Sequence, residues 1–424
     1  MMKLSPFDPV PLREQFPALG QKDGDRPAVY LDGPGGTQVP QRVIDAMAGY
    51  LQAGGSNLGG PFLASERSER VVTAAREAAA AFYNAAGTDE IVFGQNMTSL
   101  TFALSRALAK TWQPGDEIVV TRLDHDANIT PWTLAAHDRD VTVRWLDFHP
   151  EDGTLALESL DDLLTERTRL VAVTHASNAI GTIPDLARVV SMARAAGALT
   201  YVDAVHFAPH GPIDVRALET DFLVSSAYKY FGPHTGVLYG KREHLERLDA
   251  YKVRPASDEP PEKWETGTQS FESLAGLAAA VDYLAEIGAG EDGPVGGAGL
   301  EAQATVLARA MQRIKQYEQS LSRRFLEGAT HVPGLRVYGV TDVEHLEQRT
   351  PTFAVSLEGR TPRDVAERLG EQGIYVWDGH YYAVAVMERL GLLESGGLVR
   401  IGFVHYNTPA EVDAVLAALE RLAR

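Results

Sequence analysis

The chain of 424 residues contains no cysteine. Disulfides, thiolate metal sites, iron–sulfur ligation and a cysteine nucleophile are excluded at once. Long apolar runs are missing as well. No stretch approaches the roughly 18 uninterrupted apolar residues of a membrane helix, and the segment from Met1 to Pro17 carries charges where a signal peptide would have its apolar core. These features predict a soluble cytoplasmic protein with no membrane partner. Positive charge is scarce too: Asp+Glu 57 against Lys+Arg 39 gives a formal net charge of −18, which disfavours attraction to nucleic-acid phosphate or anionic lipid. What is present is ordinary globular composition, 45% hydrophobic and 23% charged, over a length that fills one large core or two domains.

Helical and strand patterns alternate through most of the chain, as in an α/β sheet packed on both faces. Short β-branched runs at Ile91–Phe93, Glu117–Thr121, Val141–Trp145, Leu170–Thr174, Leu199–Val202, Phe222–Ser225 and Val237–Tyr239 predict a large, mostly parallel seven-stranded sheet. Helical patterns such as Thr98–Lys110 and Leu186–Ala196 lie between them. Ligands of such sheets sit beyond the carboxyl ends of the strands, so residues just after strands carry most weight. The segment Ile287–Gly299, with six glycines and one proline, reads as a connection, and a long helical pattern runs on from Leu300 to about Glu327. Strand patterns near Leu335–Tyr338, Thr352–Ser356, Tyr375–Trp377 and Leu398–Gly402, with helices around Thr361–Glu371 and Thr408–Leu422, predict a smaller α+β domain. The expected division is an N-terminal segment over 1–30, a large domain over 31–290, and a linker helix with a small C-terminal domain over 291–424.

Two motif-like strings carry no site. Gly288, Gly290 and Gly293 spell GxGxxG, but they follow a helix-like segment where a dinucleotide turn must follow a strand. His206 and His210 have the i, i+4 spacing of a helical metal pair, yet Pro209 and Pro212 interrupt any helix there. No metal site is expected.

The informative segment is Phe222-Leu-Val-Ser-Ser-Ala-Tyr-Lys-Tyr-Phe-Gly-Pro-His-Thr-Gly236, an apolar strand that breaks into a polar loop with one lysine. A lysine there can point into the crevice, and a partly desolvated amine becomes a nucleophile able to form Schiff bases. Taken alone, Lys229 reads more readily as a surface lysine in a loop. Upstream, Asp203 ends the strand pattern Thr200-Tyr-Val-Asp203, where a carboxylate can pair with a pyridinium nitrogen or simply cap a helix. A lysine Schiff base with an aspartate partner for the ring nitrogen is the protein signature of pyridoxal phosphate chemistry. Gly94-Gln-Asn-Met-Thr98 adds a turn between a strand and a helix pattern, where free N–H groups and the helix dipole favour an anion such as phosphate.

Further strings keep order and spacing with these: Leu31-Asp-Gly-Pro-Gly-Gly-Thr37, Leu123-Asp-His-Asp-Ala-Asn-Ile-Thr-Pro-Trp132, Thr174-His-Ala-Ser-Asn-Ala-Ile-Gly-Thr182, and Arg400 followed by His405-Tyr-Asn-Thr408. Over nearly its whole length the chain resembles the fold-type I, class V aminotransferases, in the branch of cysteine desulfurases, selenocysteine lyases and isopenicillin N epimerases, and above all the cysteine desulfurase-like subgroup. The resemblance implies a pyridoxal 5'-phosphate enzyme in which Lys229 forms the Schiff base, Asp203 partners the ring nitrogen and His125 stacks on the ring. It places Asn178 on the phenolic oxygen and His206 near that oxygen or the Schiff base. The phosphate falls to Thr98 with the backbone of Asn96 and Met97, to Ser226, and to Tyr228 where the desulfurases have histidine. Gly267-Thr268 resembles a pair that reaches the neighbouring subunit's phosphate, which implies a homodimer. Arg400 is similar to the arginine that grips the substrate carboxylate, with Gly36 and Tyr382 as further substrate contacts.

One departure matters. The desulfurase cysteine belongs to a mobile loop whose counterpart here is Trp377-Asp-Gly-His-Tyr-Tyr-Ala383, with Tyr382 at the cysteine's place. A phenol cannot form a persulfide. The expected activity is therefore amino-acid chemistry at Cα or Cβ of lyase or epimerase type, with transamination as the alternative and a non-catalytic protein of the same fold as the reading of another class. His380, Tyr381 and Tyr382 read as second acids, substrate contacts or plain aromatic packing.

Overall fold

The β-branched runs of the first half pair into one sheet. The computed structural model of the chain describes residues 7–289 and 299–424. Its large sheet comprises β1 (Ile91–Gly94), β2 (Glu117–Thr121), β3 (Thr142–Leu146), β4 (Thr168–Thr174), β5 (Leu199–Asp203), β6 (Phe222–Ser226) and β7 (Gly236–Gly240), in the order β1-β7-β6-β5-β4-β2-β3. β7 runs antiparallel to both neighbours, and all other pairs are parallel. The mostly parallel seven-stranded α/β sheet expected from the sequence is the one observed.

Alternation sorts each central strand onto two cores. Val171 and Val173 of β4 face one, Leu170 and Ala172 the other. Helices cover both faces, which is why these strands read as continuous apolar runs. The register that sets Asp203 opposite Val224 brings the carboxyl ends of β5 and β6 together, so Asp203 and the loop after Ser226 open at the same edge.

A second sheet of four antiparallel strands contains β8 (Leu335–Tyr338), β9 (Thr352–Leu357), β10 (Trp377–Gly379) and β11 (Leu398–Gly402), in the order β8-β9-β11-β10. Helices Leu300–Ala329 and Pro409–Ala423 pack on its own core. The run expected as one strand over Tyr375–Trp377 divides in two. Ile374–Tyr375 pairs in parallel with Val29–Tyr30, and only Trp377–Gly379 joins the small sheet. Arg400 lies in the middle of β11, between Val399 and Ile401, and not at the strand's end.

Gly288 belongs to the helix Phe271–Ala289, whereas Gly290 and Gly293 of the glycine string, and the expected domain boundary at 290 and 291, lie outside the described residues. The chain from His206 to His210 forms turns without helix. Among the described residues no helix is long and apolar enough to cross a membrane, and no group of histidine and acidic residues could hold a metal ion.

Candidate active site

At the carboxyl edge of the large sheet, facing β10 and β11, opens a cavity of about 1130 Å3. Strand β6 ends at Ser226 and the chain turns through Ala227–Lys229, which sends the lysine into the cavity. Its Nζ donates to the carbonyl of Pro34. Burial, with the nearby Arg400 guanidinium, brings this amine down to about 7, against the opposing pull of Asp203 and Asp32. A substantial fraction is therefore uncharged near neutral pH. Asp203 lines the same cavity; its Oδ1 accepts the Val205 N–H at 2.9 Å, and burial raises its carboxyl to about 6.

His125 sits in the turn after β2. Its Nδ1 accepts the Ala127 N–H at 3.0 Å, so the ring's proton is on Nε2. Burial, then Lys229 and Arg400, lower this imidazole to about 4, and it stays neutral. Behind it the buried Asp124 accepts from Thr121 Oγ1 and, at 2.6 Å, from Asn128 Nδ2, fixing the turn.

The turn before helix Met97–Ala109 is capped by Asn96, whose side chain accepts the Ser99 N–H at 2.9 Å while the Ser99 hydroxyl receives the Asn96 N–H. Ser226 Oγ accepts the Met97 N–H at 3.0 Å. The Thr98 N–H makes no hydrogen bond among the described residues, which leaves it, with the Thr98 and Ser226 hydroxyls, available to an anion at the positive end of the helix. Gly236 on β7 makes this approach possible, since a Cβ there would lie 2.5 Å from the Asn96 carbonyl carbon.

Arg400 and Asn178 meet across the cavity floor. The guanidinium donates from Nη1 to the Asn178 carbonyl at 2.8 Å and lies 4.4 Å over the Tyr381 ring. Its Nε is buried without a partner, and among the described residues no carboxylate pairs with it. Burial lowers its pKa to about 10, still charged at neutral pH. Asn178 donates from Nδ2 to the Tyr381 carbonyl at 2.9 Å, and its Oδ1 has no partner. His206 and Tyr228 complete the wall, the latter stacked on His234 at 4.6 Å. Tyr382 stands at the rim, 68% exposed, with its ring against His125.

Two expected residues lie apart. Thr268 is exposed in a turn beside Gly267 and does not line the cavity. Gly36 lines an adjoining cavity of about 500 Å3, where a Cβ would lie 3.2 Å from the Tyr228 ring. Sequence reasoning missed Asp32, whose buried Oδ1 lacks a partner near Lys229 and Arg400, and His234. Both stood inside strings already singled out.

Comparison with known proteins gives the family of the chain. Residues 29–293 and 289–415 match the sequence profile of the family described as Aminotransferase class-V. The chain belongs to the class V aminotransferase family. It is 33% identical over 428 residues to the cysteine desulfurase of Pectobacterium atrosepticum, covering 97% of each chain, and 33% identical over 432 residues to the aminotransferase-like protein FGM3 of Gibberella zeae, covering 99% of each. Among solved structures, the cysteine desulfurase CsdA of Escherichia coli superimposes with a TM-score of 0.82 at 28% identity, covering 98% of each chain.

As a member of this family the protein is a pyridoxal-phosphate-dependent enzyme of fold-type I. The residues present fit the cofactor. The partnerless Thr98 N–H with two hydroxyls suits a phosphate, the buried Asp203 suits a ring nitrogen, and the unpartnered Asn178 and Arg400 atoms call for polar groups that the protein itself does not supply. When bound, the cofactor supplies an aldehyde for amines and a protonated ring that withdraws electrons.

Proposed function

We propose that this enzyme acts on an α-amino acid at Cα or Cβ, with a lyase or epimerase outcome, and that no cysteine persulfide takes part. The carrying observation is at the rim of the cavity: Tyr382 stands over His125 in a chain without any cysteine. In this reading Arg400, buried and without an acidic partner, takes the substrate carboxylate through its fork of N–H donors. Lys229 Nζ, with a substantial fraction uncharged near pH 7 because of burial and Arg400, removes the Cα proton as general base. Asp203 holds a proton or charge at the ring nitrogen, and His125 presents a neutral face with Nε2–H. Thr98 and Ser226 hold the phosphate. Cysteine, the substrate named for the desulfurase relatives, carries a leaving group at Cβ, and elimination from it releases sulfide without a protein thiol.

The same proposal has the enzyme work in the cytoplasm as a homodimer. The exposed Gly267-Thr268 turn, which does not line its own cavity, supports a role at the cavity of a second copy.

The test is incubation of the cofactor-loaded enzyme with a panel of amino acids in deuterated water, with mass and chirality read on the products. Deuterium at Cα with inversion, or a keto acid with ammonia, supports the proposal. Keto acid with aminated cofactor assigns transamination instead. Alanine with sulfur retained on the protein would overturn it.

A further inference from the structure

Strand β1 ends the large sheet and pairs only with β7, so its other edge has no strand beside it. Two side chains cover that edge. Arg76, from the helix Leu63–Tyr83, forks onto Glu265, with Nη1 donating to Oε1 at 2.8 Å and Nη2 to Oε2 at 2.7 Å. Nη1 also donates to the Ile91 carbonyl at 2.9 Å, and Glu265 Oε1 accepts the Phe93 N–H at 2.8 Å. The side chains of the pair are only 10% and 6% exposed, and neither lines the cavity. A buried ion pair thus meets backbone groups that a neighbouring strand would otherwise take.

The pair joins two turns. On one side, Phe93 leads through Gly94 into the turn that leaves the Thr98 N–H free for an anion. On the other, Glu265 stands two residues before Gly267, whose φ of 76° lies in the region that favours glycine. Gly267 and Thr268 are exposed, and no backbone N–H from Thr266 to Gln269 makes a hydrogen bond among the described residues. A turn without hydrogen bonds of its own takes its position from its ends. After it comes the helix Phe271–Ala289; before it come Glu265 and the buried Trp264, whose Nε1 donates to the Leu245 carbonyl at 3.0 Å.

We propose that Arg76 and Glu265 are positioning residues that fix the Gly267-Thr268 turn for the phosphate in the cavity of a second copy. This role rests on the homodimer proposed above and adds what sets the reach of its exposed turn. The two-pronged contact fixes the carboxylate in direction as well as distance, which a single hydrogen bond would not do. The Phe93 N–H then refers the carboxylate to the large sheet, the same frame that carries the cavity of its own copy. Loosening Glu265 therefore moves Thr268 while the rest of the sheet keeps its pairing.

The experiment uses mixed dimers of two differently tagged full-length copies. One copy is wild type. The other carries Lys229→Ala, so that visible absorbance of cofactor attached through Nζ reports the wild-type copy's cavity alone. Pyridoxal phosphate is titrated into the cofactor-free dimer. Adding Glu265→Gln to the Lys229→Ala copy is expected to weaken binding in the wild-type copy's cavity about tenfold, the value of one hydrogen bond to a charged group. Placing Glu265→Gln on the copy with the intact lysine is expected to weaken binding less, about threefold or under. Arg76→Lys keeps the charge without the fork, and in the first arrangement it should give an intermediate loss. Unchanged affinity across the dimer, or a loss confined to the copy that carries Glu265→Gln, would overturn the proposal. If Glu265→Gln does not fold, Arg76→Lys decides in the same way: weaker binding in the other copy supports the role, and unchanged binding sinks it. Sedimentation that finds single copies only would sink the homodimer and this role with it, whereas a stable dimer without the effect across it removes this role alone.

Discussion

The imidazole of His125 and the phenol of Tyr382 lie face to face, with ring centroids 5.6 Å apart and planes 18° from parallel. One residue comes from the turn after β2 and the other from the loop after β10, so the contact ties the large sheet to the rim supplied by the small one. The Tyr382 carbonyl reinforces it by accepting the Asp126 N–H at 2.7 Å. The phenol oxygen itself makes no hydrogen bond among the described residues.

Because the contact is made by the ring and not the hydroxyl, Tyr382→Phe is expected to keep kcat/KM within about threefold, whereas Tyr382→Ala loses about tenfold, the value of one aromatic pair. Steady-state kinetics on the substrate found by the panel decide this. A Phe variant as poor as the Ala variant would make the phenol an acid in the reaction.

Arg400 is buried, and its Nε has no partner. Replacement by lysine keeps the charge but loses the planar fork. Arg400→Lys is expected to raise KM at least about tenfold, with a smaller change in kcat, since the group binds the part of the substrate that does not react. A KM unchanged by the substitution would place the carboxylate elsewhere.

The Lys229 amine, lowered from 10.5 to about 7 chiefly by burial, gives a pH signature without any substrate. Between those values the unfolded chain binds a proton that the folded chain does not, so this group makes the cofactor-free protein more stable as pH rises. Below about 7 both states bind the proton, and burying the charged amine costs its full amount. The slope is at most about 1.4 kcal/mol per pH unit. Urea denaturation of wild type and Lys229→Met from pH 7 to 10 should show the variant with the flatter profile. In the cofactor-loaded state, Lys229→Ala should lose the visible absorbance of cofactor attached through Nζ.

Gly236→Ala tests the phosphate turn from its back. The new methyl would collide with the Asn96 backbone at 2.5 Å, so β7 or the turn must shift. We expect a stability loss of about 1–3 kcal/mol and weaker cofactor affinity, measured by chemical denaturation and by titration of the apoenzyme. Unchanged affinity would show that the turn does not hold the phosphate.

Much of this was legible in the sequence because the large sheet is buried on both faces. Its strands announce themselves as short β-branched runs, and Asp203 and Lys229 stand at two of their ends. The small half was less legible. Tyr375–Trp377 reads as one strand because local pattern cannot reveal that Ile374–Tyr375 finds its partner at Val29–Tyr30, more than 340 positions away in sequence. The helical pattern starts at Thr98, but the capping box at Asn96 starts the helix at Met97 and leaves the Thr98 N–H free. Asp32 stood inside a quoted string without being marked within it: its importance comes from Arg400 and Lys229, which only the fold brings near it.

Tyr381 and Tyr382 are consecutive residues in the left-handed region, with φ of 53° and 58°, a conformation that side chains adopt at some cost. Three catches hold the pair there: Asn178 on the Tyr381 carbonyl, Asp126 on the Tyr382 carbonyl, and the Tyr381 hydroxyl on Leu398. The first of these is the same amide whose other end faces the cavity. Rim and floor are therefore joined through one amide. A ligand that turned the Asn178 side chain would do so at the expense of its hydrogen bond to the Tyr381 carbonyl.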